Sequence, residues 1–148
     1  MTAPDSDLIA LDALQALVLA MPMARTLGLQ FLRLERGRSE LEIPVAQPFT
    51  FRPGQLQATP VFAIADFAAV SAAGTLLPAG WANASIDAQI KLFAAATGRA
   101  LRSRGRVIDA SRLLTVCAAD VFTVDDKGDE TPCATLLATA RNIAPRSP

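Results

Sequence analysis

Residues 60–77 read PVFAIADFAAVSAAGTLL, and this stretch decides the fold. Its six alanines, at positions 63, 65, 68, 69, 72 and 73, favour helix and permit close approach to a neighbouring surface. Apolar residues on every side predict a helix buried inside a core rather than lying upon one. Pro60 suits the first helical position and Thr59 the N-cap, while Pro78 and Gly80 stop the run. One charge interrupts it, Asp66. A membrane span is the rival reading, but 17 residues broken by an acid and flanked by no basic cluster fall short of the roughly 20 that a bilayer requires.

A helix buried on all sides needs a sheet to wrap it, and the flanking sequence supplies strands. Upstream, 29–36 and 39–46 read as a hairpin around Arg36-Gly37-Arg38, the second arm alternating Leu41, Ile43 and Val45 with Glu40, Glu42 and Pro44. Pro44 suggests a sheet edge. Residues 47–60 form a Pro-, Gly- and Gln-rich loop into the helix. Downstream, 82–94, 99–110, 112–124 and 131–142 read as four strands of an antiparallel meander, joined by ATG, DAS and DDKGDE turns. In the first of them Ile86, Ala88, Ile90 and Leu92 predict a buried face, alternating with Ser85, Asp87, Gln89 and Lys91. Ahead of all this, Ser6 or Asp7 is placed to cap a helix through about Ala20, and Pro22 starts a short helical turn closed by Gly28. The pattern is α+β: a curved antiparallel sheet around one long buried helix, with an extra N-terminal helix. The expected organisation is an extension over 1–22, one domain over 23–143 and a tail over 144–148.

Composition narrows the chemistry. At 148 residues and 51% hydrophobic, the chain has the size of one compact domain. Lys plus Arg and Asp plus Glu each number 14, so no global field draws it to nucleic acid or to a membrane surface. Histidine is absent, which excludes Ser-His-Asp and Cys-His mechanisms and removes the commonest metal ligand. Cys117 and Cys133 stand alone, without CxxC spacing, and read as buried reduced thiols. The first residues carry Asp5, Asp7 and Asp12 and no basic region, so they do not read as a secretory signal, and a cytoplasmic location is expected. No metal or redox cofactor is expected.

Four strings, MPMARTLGLQF, GQLQATPVFAIADFAAV, ASIDAQIKLFAAATGRALRSRGRV and ATLLATARNI, stand in an order and spacing that resembles the PaaI-like branch of the hotdog-fold acyl-CoA thioesterase superfamily over about residues 23–143. In that family a loop ending in His-Gly-Gly leads into the helix, and an acid follows nine positions after the His in a Leu-Ala-Asp type string. Ile64-Ala65-Asp66 matches the acid string. Nine positions back stands Gln57, with Ala58 and Thr59 in place of the glycines, while Gly54 keeps the loop glycine three residues earlier. The helix half of the motif is retained and the loop half is altered. The resemblance implies a homodimer with sites at the interface, and in some relatives a dimer of dimers.

It also implies a chemistry. A thioester is already electrophilic, so hydrolysis needs a placed carboxylate, acting as general base or nucleophile, and N–H groups aimed at the developing oxyanion. Asp66 would be the carboxylate, and the amides of Ala58 and Thr59, at the helix N-terminus, the oxyanion donors. A purely structural buried acid is the bland alternative for Asp66. Gln57 can orient substrate or water but cannot take up a proton; otherwise it is an ordinary loop amide. Ser85 matches a strand position where some relatives place a hydroxyl near the attacking water, or is simply a small strand residue. Phe51, Phe62 and the loop glycine Gly54 would border an acyl pocket, although aromatics at such positions often belong to a core. Arg102 and Arg104, on one strand face with Arg106, would meet coenzyme A phosphates, or else form a solvated charged face. The leading expectation is an acyl-CoA thioesterase that uses coenzyme A only as part of its substrate. The alternative is a catalytically degenerate hotdog module that binds acyl-CoA or a similar ligand. A hotdog hydratase is disfavoured by the missing histidine.

Overall fold

The alanine-rich stretch is a helix, α3, over Ala58–Gly74. The structure, a computed structural model, describes residues 4–148, so the first three residues of the expected extension lie outside it. Around α3 run β1 (Gln30–Glu35), β2 (Arg38–Pro44), β5 (Ala82–Leu92), β6 (Ala100–Ala110), β7 (Leu114–Val124) and β8 (Glu130–Ile143), while β3 (Thr50–Arg52) and β4 (Gln55–Leu56) form a separate small hairpin. The six strands are antiparallel in the order β1-β2-β6-β7-β8-β5. Two further helices, α1 (Leu11–Leu19) and α2 (Pro22–Leu27), precede the sheet. Residues 144–148 follow β8 without regular structure. Among the described residues no helix is long and apolar enough to cross a membrane.

The alanines explain how closely helix and sheet meet. Ala65, Ala68, Ala69, Ala72 and Ala73 are fully buried, and the sheet meets them with small inward residues at Ser39, Ser103 and Gly105. A Cβ added at Gly105 would collide with the Ala68 carbonyl, so only glycine fits there. Ser39 Oγ donates to that same carbonyl at 2.6 Å, a buried hydrogen bond joining sheet to helix. Ser103 Oγ, also fully buried, has no partner among the described residues.

Several local expectations are corrected. The N-terminal helix does not start at Ser6 or Asp7. Residues 5–9 instead form a 3-10 turn and a strap, because their backbone groups are taken elsewhere: Leu8 bridges to Pro78, Ile9 N–H donates to the Leu77 carbonyl at 2.9 Å, and the Asp7 carbonyl accepts from Ala79 N–H at 2.9 Å. Arg36 fastens the strap, donating to Asp5 Oδ1 at 2.7 Å, to the Ile9 carbonyl at 2.7 Å and to the Thr75 carbonyl at 2.8 Å. α1 therefore begins only at Leu11, without a side-chain cap.

α3 likewise starts one residue before the expected cap. Gln57 is its N-cap, and Thr59 and Pro60 lie in its first turn. Leu56 N–H is held by the Ala96 carbonyl and Gln57 N–H by the Phe49 carbonyl, both at 2.9 Å, so the chain is fixed up to that point and turns directly into helix. Pro60 is tolerated because first-turn amides have no intrahelical acceptor. Pro44 does not mark an edge: β2 lies between β1 and β6, and Pro44 is its last residue, opposite Ala100. The expected four-strand meander is also broken, since β5 does not pair with β6 but crosses to the far side of β8 and forms the sheet edge.

Candidate active site

Asp66 belongs to a stripe of α3 that the sheet leaves uncovered. Thr59 and Phe62 are exposed, and Ala63, Asp66, Phe67 and Val70 are half-buried, the spacing of one helix face. The helix is therefore not buried on every side as its composition suggested. The stripe faces the beginning of β5, where Ser85 Oγ donates to Asp66 Oδ1 at 2.8 Å.

That contact depends on a break in the strand. Pairing runs Ser85 to Ala140 and then Asp87 to Thr139, so Ile86 is an extra residue, a β-bulge. Strict alternation would put Ser85 on the face opposite Ala88 and Ile90. The bulge shifts the phase by one residue, so that Ser85, Ala88 and Ile90 all look toward α3, while Ile86 stands 58% exposed. The expected buried row of Ile86, Ala88, Ile90 and Leu92 is corrected accordingly, with Leu92 also exposed at the edge.

Partial burial raises the pKa of Asp66 above the ordinary aspartate value, because removing water disfavours the charged form; the Ser85 hydrogen bond opposes this and is the smaller effect. Behind the carboxylate, burial and the nearby Asp66 charge push the Cys117 thiol up to about 11, and burial alone does the same to Cys133. Both cysteines are free and buried. Asp66 is thus a carboxylate with increased basicity, oriented by one hydroxyl. Among the described residues no cluster of His, Cys, Asp and Glu is assembled to hold a metal ion.

The remaining candidates fall into separate places. Gln57, Ala58 and Thr59 are exposed at the start of α3, and Gln57 makes no capping bond with its side chain. The amides of Ala58 and Thr59 lie in the first helical turn, free of intrahelical acceptors. Thr59 is seven residues from Asp66, about 10 Å along the axis, so a single chain does not bring amides and carboxylate to one reacting carbon. Phe62 lies one turn before Asp66 on the uncovered stripe and is 37% exposed. Phe51 is 57% exposed on the β3–β4 hairpin, with Arg52 stacked on its ring, and Gly54 takes φ +74° in the hairpin turn.

Arg102 and Arg104 are engaged elsewhere. On β6 they face away from α3, on the outer side of the sheet, where Arg102 donates to Glu42 and Glu130 at 2.7 Å each and Arg104 to Glu130 at 2.7 Å and Glu40 at 3.1 Å. Arg104 also covers the Phe122 ring at 4.8 Å. These pairs hold the Glu130 carboxyl below its ordinary range, chiefly through the Arg104 hydrogen bonds. These donors pair with carboxylates of β2 and β8, on the face of the sheet away from Asp66.

Sequence reasoning missed the apolar cleft that opens beside Asp66 and Ser85. About 270 Å³ in volume, it lies between α1, the uncovered stripe of α3 and the first residues of β5, with Trp81 in its wall. Trp81, the single tryptophan of the chain, directly follows the Pro78–Gly80 break, which was the available signal that it begins a new element.

No protein-family model matches the sequence, and no curated protein matches it at a significant level. Solved structures do match. A thioesterase family protein from Silicibacter pomeroyi is 28% identical with a TM-score of 0.86, over 91% of this chain and 99% of that one. A thioesterase from Haemophilus influenzae is 18% identical with a TM-score of 0.78, over 92% of each chain. The PaaI protein of E. coli, from the phenylacetic acid degradation operon, is 15% identical with a TM-score of 0.75, over 88% of this chain and 90% of that one. The structural neighbours are thioesterase-superfamily proteins, PaaI among them, and the six-stranded antiparallel sheet packed on α3 is the hotdog fold.

Proposed function

We propose that the chain is a thioester hydrolase that cleaves an acyl-CoA to a carboxylic acid and free coenzyme A, with Asp66 as the working carboxylate. The observation that carries the reading is the half-buried Asp66, raised in pKa, held by Ser85 and opening onto an apolar cleft. As general base, Asp66 takes a proton from water while the water oxygen attacks the thioester carbon. The resulting oxyanion collapses, the C–S bond breaks, and the thiolate takes up the proton. As nucleophile, the carboxylate displaces the thiolate to give a mixed anhydride that water then opens. A pKa nearer neutrality favours the first role by strengthening the base.

The oxyanion donors come from a second copy. β5 is an exposed sheet edge of 11 residues bordering the uncovered stripe of α3, and edges of this kind seek a partner strand. A homodimer formed there, and in turn a dimer of dimers, brings another α3 N-terminus, with its Ala58 and Thr59 amides and Gln57, toward Asp66. Phe62 then borders the reacting group, and the hairpin carrying Phe51 and Gly54, which ends directly before Gln57, borders the acyl pocket with it. Two unpaired cysteines suit a cytoplasmic setting.

The test is a panel of acyl-CoA substrates with release of free thiol as readout, for the unmutated chain and for Asp66→Asn. The expected result is turnover reduced by about 10²–10⁴-fold in the variant with the fold intact. Turnover that survives the substitution removes Asp66 from the mechanism. The altered Gln57-Ala58-Thr59 loop favours a second reading, a module that binds acyl-CoA without hydrolysis; binding with no turnover of any substrate by the unmutated chain would establish it.

A further inference from the structure

The cleft beside Asp66 has a shape and a wall that identify what enters it. Its α1 side presents Leu14, Leu17 and Val18, followed by Met21 at the junction with α2, and its opposite sides present Val70 and Trp81. Leu14 and Val18 are buried and fix α1 against α3: Leu14 lies within reach of Gly74, where an added Cβ would stand 3.3 Å from it. Leu17, near the end of α1, and Met21, just beyond it, are left 60% and 46% exposed. Large apolar side chains lining an uncovered hollow lose the burial that drives packing, so an apolar occupant stabilises them. The polar groups in the lining are few, and Asp66 and Ser85 stand together at the start of β5. One end of the cleft is thus fitted for reaction and the rest for hydrocarbon.

Volume sets the occupant's size. A cavity of about 150 Å³ lined by aliphatic side chains holds one benzene molecule, and the cleft measures about 270 Å³. We infer that the α1–α3–β5 cleft is the acyl site and that it takes an apolar acyl group of medium length, roughly six to ten carbons, with the carbonyl at Asp66 and the tail between α1 and Trp81. The inference rests on the hydrolase reading for the carbonyl's place. The hydrocarbon site itself does not depend on turnover.

Trp81 provides a direct readout, since no other tryptophan contributes to emission. The experiment titrates the full chain with n-alkanols from butanol to dodecanol and follows Trp81 fluorescence. Affinity is expected to rise roughly three- to fourfold per methylene up to about eight to ten carbons and then to level off. Leu17→Asp, at a site exposed enough to tolerate the change, is expected to weaken octanol at least about tenfold with the circular dichroism spectrum unchanged. In parallel, kcat/KM across straight-chain acyl-CoA thioesters is expected to peak at six to ten carbons. No change in Trp81 emission, affinity independent of chain length, or octanol binding unaffected by Leu17→Asp would each overturn the site. Length-dependent alkanol binding without hydrolysis of any acyl-CoA upholds the cleft and defeats the hydrolase. Hydrolysis indifferent to both chain length and Leu17→Asp upholds the hydrolase and defeats the cleft.

Discussion

Adding a single methyl group at Gly105 tests how the fold holds the site. In Gly105→Ala the new Cβ would stand 2.1 Å from the Ala68 carbonyl oxygen and 2.5 Å from Ser39 Oγ. Both neighbours belong to rigid elements, so α3 must retreat from β6 by about 0.9 Å to restore the closest tolerated separation. Overpacking of this kind costs about 1–3 kcal/mol, and loss of the buried Ser39–Ala68 hydrogen bond adds about 1 kcal/mol. A total of about 2–4 kcal/mol corresponds, for a chain of this length, to a fall in Tm of about 4–16 °C. The consequence reaches the chemistry, because Asp66 lies two residues before Ala68. A shift of that size is about a third of its 2.8 Å contact with Ser85 and disturbs the geometry of that hydrogen bond. Scanning calorimetry would give the first quantity and thioester hydrolysis the second, with hydrolysis expected to fall even at temperatures where the variant is fully folded. A Tm within about 2 °C of the unmutated chain would show that helix and strand are not in the intimate contact described, and the argument from the alanine face would fail.

Three other substitutions probe separate parts of the structure. Ser85→Ala removes the hydrogen bond that holds the Asp66 pKa down, so the acid limb of the kcat/KM profile should move to higher pH and activity at neutral pH should drop about tenfold. An unmoved limb would mean that Ser85 does not orient the ionised carboxylate. Since folding raises the Asp66 pKa, the associated stability is complete below the ordinary aspartate value and is lost as pH rises through the folded one; Ser85→Ala should deepen that loss, as urea midpoints against pH would record. Glu130→Gln gives Arg102 and Arg104 a neutral amide in place of their shared carboxylate and should cost about 1 kcal/mol at neutral pH, less in high salt. Because folding lowers the Glu130 pKa, its contribution is present above the ordinary glutamate value and disappears as pH falls through the lowered one, so the two proteins should converge in acid; equal midpoints at neutral pH would remove the network from the stability account. Ser103→Ala deletes a buried hydroxyl without a partner and should raise Tm by about 2–4 °C, for a gain of about 1 kcal/mol; a clear loss in calorimetry would reveal an acceptor for that hydroxyl.

What the sequence made legible was whatever depends on local pattern. Alanine content and Asp66 located α3, alternation located the strands to within a few residues, and the arrangement of quoted strings implied the hotdog fold that the structure shows. What it concealed depends on long-range pairing. Nothing in the alternation of β5 states that it joins β8 rather than β6, and the Pro44 rule fails because a proline at a strand's last residue removes little from the ladder. The Ile86 bulge is invisible to a period-two reading, although it alone turns Ser85 toward Asp66. The helix start was misplaced because Gln57 and Leu56 are pinned by the Phe49 and Ala96 carbonyls, partners remote from the local capping signal. The cleft has no local signature because its walls come from three separated segments. The arginine row was visible, but its carboxylate partners on β2 and β8 come together only in the folded sheet.

The tight seat of α3 against the sheet has a consequence for the history of such a protein. At Ala65, Ala68, Ala69, Ala72, Ala73 and Gly105 the side chains are already as small as close approach demands, so inherited change there is filtered by folding before activity is ever judged. The far wall of the cleft lies in α1 and the junction after it, where Leu17 and Met21 answer to little but the ligand. Selection for a new acyl preference therefore has an accessible route through a few codons in and after α1, while the carboxylate on α3 and the serine on β5 pass down unchanged. Taste and skeleton are written in different parts of the same chain.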